Sequence, residues 1–420
     1  MSSTITKKIF ERHVGKEVHD DELVFANVDR GMGTDATIPL AIQEFEKIGC
    51  EIFSKEKLVI IQDHFVPAKD IATANYSKIV RDFSVKNSIK NYFEVGKGGI
   101  CHHVMMEYGL CKPGDLVVGA DSHTCTYGAA GLFATGIGST DLAAFMATGK
   151  LWFRIPKSIK VIFEGTKKRF VQGKDIILEL IGEIGVSGAS YRALEFVDNT
   201  TDKLTMSDRI TICNMAIECG AKTGIFEYDE VTEDFYCDLG IEIEKERKLK
   251  VGDDKEYEKV ISINLDEIEP KVAMPFLPSN IKSVKDVGDI EIHQAFIGSC
   301  TNGRIEDMRM AAEVLKGNTV NKNVRLIVIP GTQNVLSAMA KEGLLEIFIQ
   351  AGASVTSPTC GPCLGGHYGI LANGEICIST SNRNFVGRMG DKTSMVYLAN
   401  PAVVAASAVE GKICLPKEVI

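Results

Sequence analysis

The sequence predicts an α/β protein divided into three domains. Three observations carry that expectation. Short apolar runs recur along the chain, each followed at once by a polar cluster. Segments of helical periodicity lie between them. Two breaks, at Arg154-Ile155-Pro156 and between Pro275 and Asp289, cut the chain into segments 1–156, 157–285 and 286–420. Short, β-branched runs without polar alternation read as strands buried on both faces, and alternation with helices makes a parallel sheet of them. Ligands bind beyond the carboxyl ends of such strands, so the polar clusters are the places to look for chemistry.

In the first segment Leu58-Val59-Ile60-Ile61 ends in Gln62-Asp63-His64, and Leu116-Val117-Val118-Gly119 ends in Ala120-Asp121-Ser122-His123. A helix is expected to begin near Pro39 and to stop at Gly49, with Ala41, Ile42, Phe45 and Ile48 on its apolar face. The second segment opens with a strand over 159–163. Its highly charged stretch 242–259 reads as a solvated surface helix and loop. In the third, Phe296-Ile297 leads to Gly298-Ser299-Cys300, a strand over 325–329 stops at Pro330-Gly331, and Ile376-Cys377-Ile378 leads into Ser379-Thr380-Ser381-Asn382-Arg383. No fixed-period repeat is present.

Composition limits the function. The chain has 420 residues, 45% hydrophobic and 25% charged, which is ordinary for a soluble globular protein. Its 47 basic and 56 acidic residues leave a net charge of −9, which argues against a broad nucleic-acid surface. Residues 1–16 carry Lys7, Lys8, Glu11 and Arg12, so no signal peptide is expected there. The charge-free stretch 395–409 is too short to span a bilayer and contains Asn400-Pro401. The expectation is a cytoplasmic protein without a membrane segment. Its 12 cysteines would then be reduced, and close pairs among them point to metal or redox chemistry.

Cys360-Gly361-Pro362-Cys363 is such a pair, in a Gly/Pro loop, and Cys300 lies in a glycine-flanked loop after a strand. Three chemistries suit these thiols. One is a thioredoxin-like dithiol, although Thr359 stands where a tryptophan usually accompanies that motif. Another is a structural zinc site, with Cys377 or His367 as fourth ligand. The third is an iron–sulfur cluster on three cysteines with one iron open to substrate. Spacing alone does not separate the last two.

Four of the eight histidines, His64, His102, His103 and His123, fall between residues 64 and 123. Two of them closely follow an aspartate at a strand end, the arrangement that fixes an imidazole tautomer and raises its basicity. His102 is the better placed of its pair; His103 reads as an exposed neighbour, and Met105-Met106 as core. Arg383 and Arg388 flank Asn384-Phe385-Val386-Gly387; a guanidinium binds carboxylate or phosphate with paired hydrogen bonds. Gly136-Ile137-Gly138 lacks the full dinucleotide fingerprint.

Taken together, these residues resemble the aconitase superfamily, in particular the large subunits of its two-chain members. The matching segments are Asp63-His64, Cys101-His102, Asp121-Ser122-His123-Thr124, Asn214-Met215-Ala216-Ile217-Glu218, Gly298-Ser299-Cys300-Thr301-Asn302-Gly303, Cys360-Gly361-Pro362-Cys363 and the run from Ser381 to Arg388. They stand in family order and cover nearly the whole chain.

The resemblance implies three α/β domains of the aconitase type around a [4Fe-4S] cluster on Cys300, Cys360 and Cys363, without the swivelling fourth domain of fused members. The iron not held by cysteine would act on the substrate hydroxyl as a Lewis acid. His64, oriented by Asp63, would protonate the departing hydroxyl. His102 and Glu218 would form a second supporting pair. Asp121, Ser122 and His123 would contact substrate and water, with Asn214 and Asn302 near the cluster. Arg383 and Arg388 would grip a substrate carboxylate.

The implied reaction is reversible dehydration and rehydration of a di- or tricarboxylate hydroxy acid. The 2-alkylmalate 3-isopropylmalate of leucine synthesis is the first expectation, homoaconitase or 2,3-dimethylmalate dehydratase large subunits the alternatives, and an RNA-binding regulator a remote one. A separate small subunit would carry the swivelling domain and its serine base. The chain departs from family habit at His103, Tyr127 and Pro39, which leaves the substrate open.

Overall fold

The computed structural model describes residues 3–417. Three sheets, mostly parallel, dominate it, with a two-stranded antiparallel ribbon of Leu23–Asn27 and Lys150–Arg154 beside the first. The first sheet has five parallel strands in the order Asn91–Phe93, Leu58–Ile61, Arg30–Thr34, Leu116–Gly119, Phe133–Gly136. Leu58–Ile61 and Leu116–Gly119 are buried at every position, as their unbroken apolar runs require.

The helix at Pro39 spans Ile38–Ile48 and ends at Gly49, whose φ of 71° lets its N–H reach the Phe45 carbonyl. Ala41, Ile42 and Phe45 are buried, but Ile48 is 52% exposed, so the buried face ends three residues before the helix does.

The second sheet orders Thr223–Phe226, Ala193–Thr200, Ser158–Gly165 and Lys259–Asn264, all parallel. The charged stretch before its last strand forms no α-helix. It contains only the short 3-10 turns Lys245–Arg247 and Asp254–Glu256, and Arg247 reaches back to Asp115 at 2.6 Å. A stretch with so few apolar residues has no face to bury, which removes the main support for a helix.

The third sheet has seven strands. Gln294–Ile297 lies in its middle between Ile376–Ser379 and Arg325–Val328, and Met395–Leu398 and Ser354–Val355 extend it in parallel. Two short antiparallel strands from before residue 286, Lys271–Ala273 and Ile281–Ser283, add to one edge. The charge-free stretch divides into Met395–Leu398 and the helix Pro401–Glu410. No helix among the described residues is long and apolar enough to cross a membrane.

One apolar core joins the sheets: Val59 and Ile61 of the first, Val161 and Phe196 of the second, and Phe296 and Leu398 of the third belong to it. A polar tie supplements it. The buried Glu195 carboxylate, on the second sheet, accepts the N–H groups of Ile5 (2.9 Å) and Thr6 (3.0 Å) at the start of helix Ile5–Val14. It also accepts hydroxyls from Thr6 (2.8 Å), Ser158 (3.0 Å) and Tyr257 (2.7 Å). A helix start has free N–H groups and a positive dipole end, so a buried carboxylate is well placed there.

Candidate active site

The carboxyl ends of the first and third sheets meet. Strand Leu58–Ile61 delivers Asp63 and His64, and the buried Asp35, just beyond Arg30–Thr34, fixes their turn. The Asp35 carboxylate accepts the N–H groups of Asp63 (2.9 Å), His64 (2.8 Å) and Phe65 (2.8 Å). Asp63 Oδ1 lies 2.6 Å from His64 Nδ1, and Asp63 Oδ2 accepts the Cys101 N–H at 2.8 Å. His64 Nε2 then faces Asp121 Oδ2 at 3.5 Å. Burial alone lowers an imidazole pKa; the neighbouring Cys360, then Asp63 and Asp121, overcome it and hold His64 well above its ordinary value.

Asp121 is the hub of this region. It follows strand Leu116–Gly119 and accepts the His123 N–H at 2.8 Å, which caps the turn Ser122–Ala130. Its Oδ1 also lies 2.8 Å from His102 Nε2. Burial opposes ionisation of Asp121, but His102, His123 and His64 outweigh it and hold the carboxyl well below the usual range. His102 Nδ1 meets the buried Tyr127 hydroxyl at 3.0 Å. A phenol donating there leaves the Nε2 proton of His102 to Asp121.

Two sequence-derived expectations change here. His102 and Glu218 do not pair: His102 is taken by Asp121 and Tyr127, while Glu218 Oε1 lies 2.9 Å from His123 Nε2 and accepts Arg383 Nε–H at 2.8 Å. The reason is position, since Asp121 and His123 stand between the two elements. His103 is buried rather than exposed; its Nε2 lies 3.2 Å from the Ser299 carbonyl, and burial depresses its pKa to about 3. Ser122 Oγ is 3.5 Å from His123 Nδ1, and Ser122 borders a cavity of about 480 Å³ that also meets Ile217, Trp152 and Lys222.

The third sheet brings the thiols. Cys300 follows Gln294–Ile297 through Gly298 and Ser299; Ser299 has a φ of 75°, and a Cβ on Gly298 would lie 2.6 Å from the Ile329 carbonyl oxygen. Cys360 caps the tight turn Gly361–Leu364, and Cys363 lies within it. Asn382 joins the thiols: its Nδ2 donates to Cys300 Sγ at 3.3 Å and to Asn214 Oδ1 at 3.2 Å, and its Oδ1 lies 3.7 Å from Cys363 Sγ. The Asp63 carbonyl accepts both the Cys360 N–H (2.8 Å) and the Thr359 hydroxyl (2.8 Å), and Cys360 Sγ lies 3.9 Å from His64 Nδ1. The thiol loop and the His64 turn are therefore one structure.

All three thiols are free, and Cys300 and Cys363 are buried. Burial, then the neighbouring Cys363 and Cys360, raises Cys300 well above an ordinary thiol; burial pushes Cys360 up to about 12. Buried thiols gathered around Asn382 suit a cationic centre that would neutralise their charge, and soft thiolate sets suit iron–sulfur chemistry. The alternative zinc ligands are engaged elsewhere. Cys377 Sγ meets the Ile378 carbonyl (3.5 Å) and His367 Nε2 meets Thr359 Oγ1 (3.2 Å). The third ligating group near Asp63 and His64 is Cys360, and ligand atoms of these residues all lie within 4.8 Å of one another.

Asn214 also donates to Thr126 Oγ1 at 2.8 Å. Asn302 donates to Asp307 Oδ1 at 2.8 Å, at the first turn of helix Ile305–Leu315, and its own Oδ1 is buried without a partner. Arg388 Nε is likewise buried without a partner, while Arg383 is held by Glu218. Sequence reasoning assigned no role to Asp35, Tyr127 or Asn382, although Asn382 lies inside a motif it quoted.

A family model described as "Aconitase family (aconitate hydratase)" matches residues 7–289 and 279–411. The 3-isopropylmalate dehydratase large subunit of Moorella thermoacetica is 54% identical over 423 residues, covering 100% of both chains. The protein of the same description from Campylobacter concisus is 52% identical over 421 residues, again 100% of both. That from Caldicellulosiruptor saccharolyticus is 54% identical over 418 residues, 99% of this chain and 97% of its own. The solved Thermococcus kodakaraensis aconitase X aligns over 90% of this chain and 89% of that one, at a TM-score of 0.49 and 14% identity. With a family match along nearly its whole length and relatives more than half identical from end to end, the chain belongs to the aconitase family.

Proposed function

We propose that this chain is the large subunit of a 3-isopropylmalate dehydratase, a hydro-lyase of leucine biosynthesis, and that Cys300, Cys360 and Cys363 hold a [4Fe-4S] cluster. The observation that carries the proposal is the double anchor of the thiol loop on the Asp63 carbonyl, 2.8 Å from Thr359 Oγ1 and 2.8 Å from the Cys360 N–H. It sets an acid–base histidine beside a ligand thiol. When bound, the cluster supplies an electrophilic iron that makes hydroxide a better leaving group.

The protein's own residues do the rest. His64 keeps its Nδ1 on Asp63, which leaves the Nε2 proton for the departing hydroxyl. Asp121 stabilises the cationic state of His64 and orients His102. His123, held by Glu218, and Ser122 hydrogen-bond substrate and water. Glu218 also aims Arg383, and Arg383 with Arg388 binds a substrate carboxylate. Asn214 orients the thiol loops through Asn382.

The base that removes the carbon-bound proton comes from a separate small subunit. Segments 1–156, 157–285 and 286–420 act as three domains around the cleft, with strands Lys271–Ala273 and Ile281–Ser283 going to the third sheet. The free thiols suit a reducing cytoplasm.

The test is anaerobic co-purification with the small subunit, iron and sulfide analysis, and turnover of a panel of hydroxy acids. Iron and sulfide should be present, and 3-isopropylmalate should have the highest kcat/KM. Preference for homocitrate or 2,3-dimethylmalate would overturn the substrate. Full activity of the chain alone would overturn the two-subunit assignment.

A further inference from the structure

Lys174 lies in the first turn of helix Gly173–Ile184 and is fully buried. Its Nζ donates to the carbonyls of Thr380 (2.8 Å) and Ser381 (2.7 Å), and no carboxylate forms an ion pair with it among the described residues. A buried ammonium without a carboxylate is costly, and burial lowers the Lys174 pKa to about 7, so keeping it charged takes a negative charge nearby.

The nearby carboxylates are committed elsewhere. Asp175 accepts the N–H groups of Gln172 (2.8 Å) and Lys271 (2.8 Å) and the amide of Asn400 (2.9 Å). Asp307 accepts Asn302 Nδ2 (2.8 Å) and the Arg304 N–H (2.9 Å). Burial works against the charge on Lys174, and of the groups that would favour it once ionised, Cys300 and Cys363 come ahead of both aspartates.

The bonds of Lys174 lead to the same thiols. The Thr380 carbonyl that it holds also accepts Thr301 Oγ1 (2.7 Å), next to Cys300. Ser381 precedes Asn382, which bonds Cys300 Sγ at 3.3 Å.

We infer that Lys174 is the buried counter-cation of the thiolate site. It is a positioning residue that braces the Thr380-Ser381 turn and offsets the negative charge of Cys300, Cys363 and the iron–sulfur group they hold. The inference rests on the cluster proposed above. A nearby positive charge favours the more reduced, more negative state of a buried cluster and so raises its potential.

The experiment compares wild type, Lys174→Met and Lys174→Gln, each reconstituted anaerobically with iron and sulfide in the two-subunit complex. Gln keeps two N–H donors and removes the charge. Readouts are iron and sulfide content, the midpoint potential of the cluster, and the rate of iron loss to a chelator. Both variants should show a more negative potential and faster iron loss than wild type. Clusters of unchanged potential in both would overturn the role of Lys174 alone. No iron or sulfide in wild type would overturn the cluster itself. If neither variant folds, the lysine serves the backbone turn rather than the cluster, and the inference fails.

Discussion

The first and third sheets present their strand ends to one cleft with opposite chemistries. In the first, the strand ends carry carboxylate–imidazole pairs: Asp63 with His64, and Asp121 with His102, at 2.6 and 2.8 Å. In the third, the strand ends carry thiols held by neutral donors, with Asn382 on Cys300 and the Thr301 and Thr380 hydroxyls tying the loops. Carboxylate–imidazole pairs set protonation states; neutral donors orient sulfur without competing for its charge. The contrast shows how one architecture separates proton handling from ligand holding while keeping both within a few ångströms.

Variants can break either side. Cys300→Ser should have the largest effect, with iron retention lowered by more than about 100-fold, since even losses beyond the ligands cost roughly 10- to 100-fold. Chelator competition measures it, and normal retention would remove Cys300 from the ligand set. His64→Gln should instead leave iron and sulfide content intact while kcat falls about 10²- to 10⁴-fold, the usual contribution of a positioned acid. Loss of the cluster in that variant would mean that the two regions are not chemically separate.

Arg383→Lys should raise KM for 3-isopropylmalate on the order of 10-fold, because lysine cannot keep both the Glu218 contact and a paired grip on a carboxylate. A change confined to kcat would contradict a binding role.

The smallest effect concerns the junction of the two regions, where His103 reaches the Ser299 carbonyl at 3.2 Å. Burial, with Arg304 nearby, depresses its folded pKa to about 3 from 6.5. The unfolded chain therefore binds the extra proton first. The stabilisation is complete above the unfolded value of 6.5 and is lost as pH falls from there toward 3. Denaturant titrations from about pH 7 to about pH 4 should show His103→Gln losing less stability than wild type; parallel curves would contradict the assignment.

Much of this was legible in the sequence where the signal is local. The run Leu58–Ile61 is buried at every position, and Asp63-His64 and Cys360-Gly361-Pro362-Cys363 place their groups through short turns. What escaped depends on long-range approach. Strand Arg30–Thr34, which leads to Asp35, shows no apolar run because Gly31 and Gly33 stand where a Cβ would run into the Phe145 ring and the Ile38 side chain. The exchange of partners between His102 and Glu218 depends on Asp121 and His123 coming between them. His103 looks like any polar residue beside a functional one until the third sheet covers it.

The Glu195 tie has a consequence for how the chain reaches this state. Ile5 and Thr6 find their acceptor 190 and 189 residues later, and Tyr257, which shares it, is later still. As the chain leaves the ribosome, helix Ile5–Val14 therefore waits through a further 190 residues for the carboxylate that seats it. Contacts of such sequence separation slow folding and leave early segments exposed. The first sheet can form its strands early, but its final docking belongs to the last stages of folding.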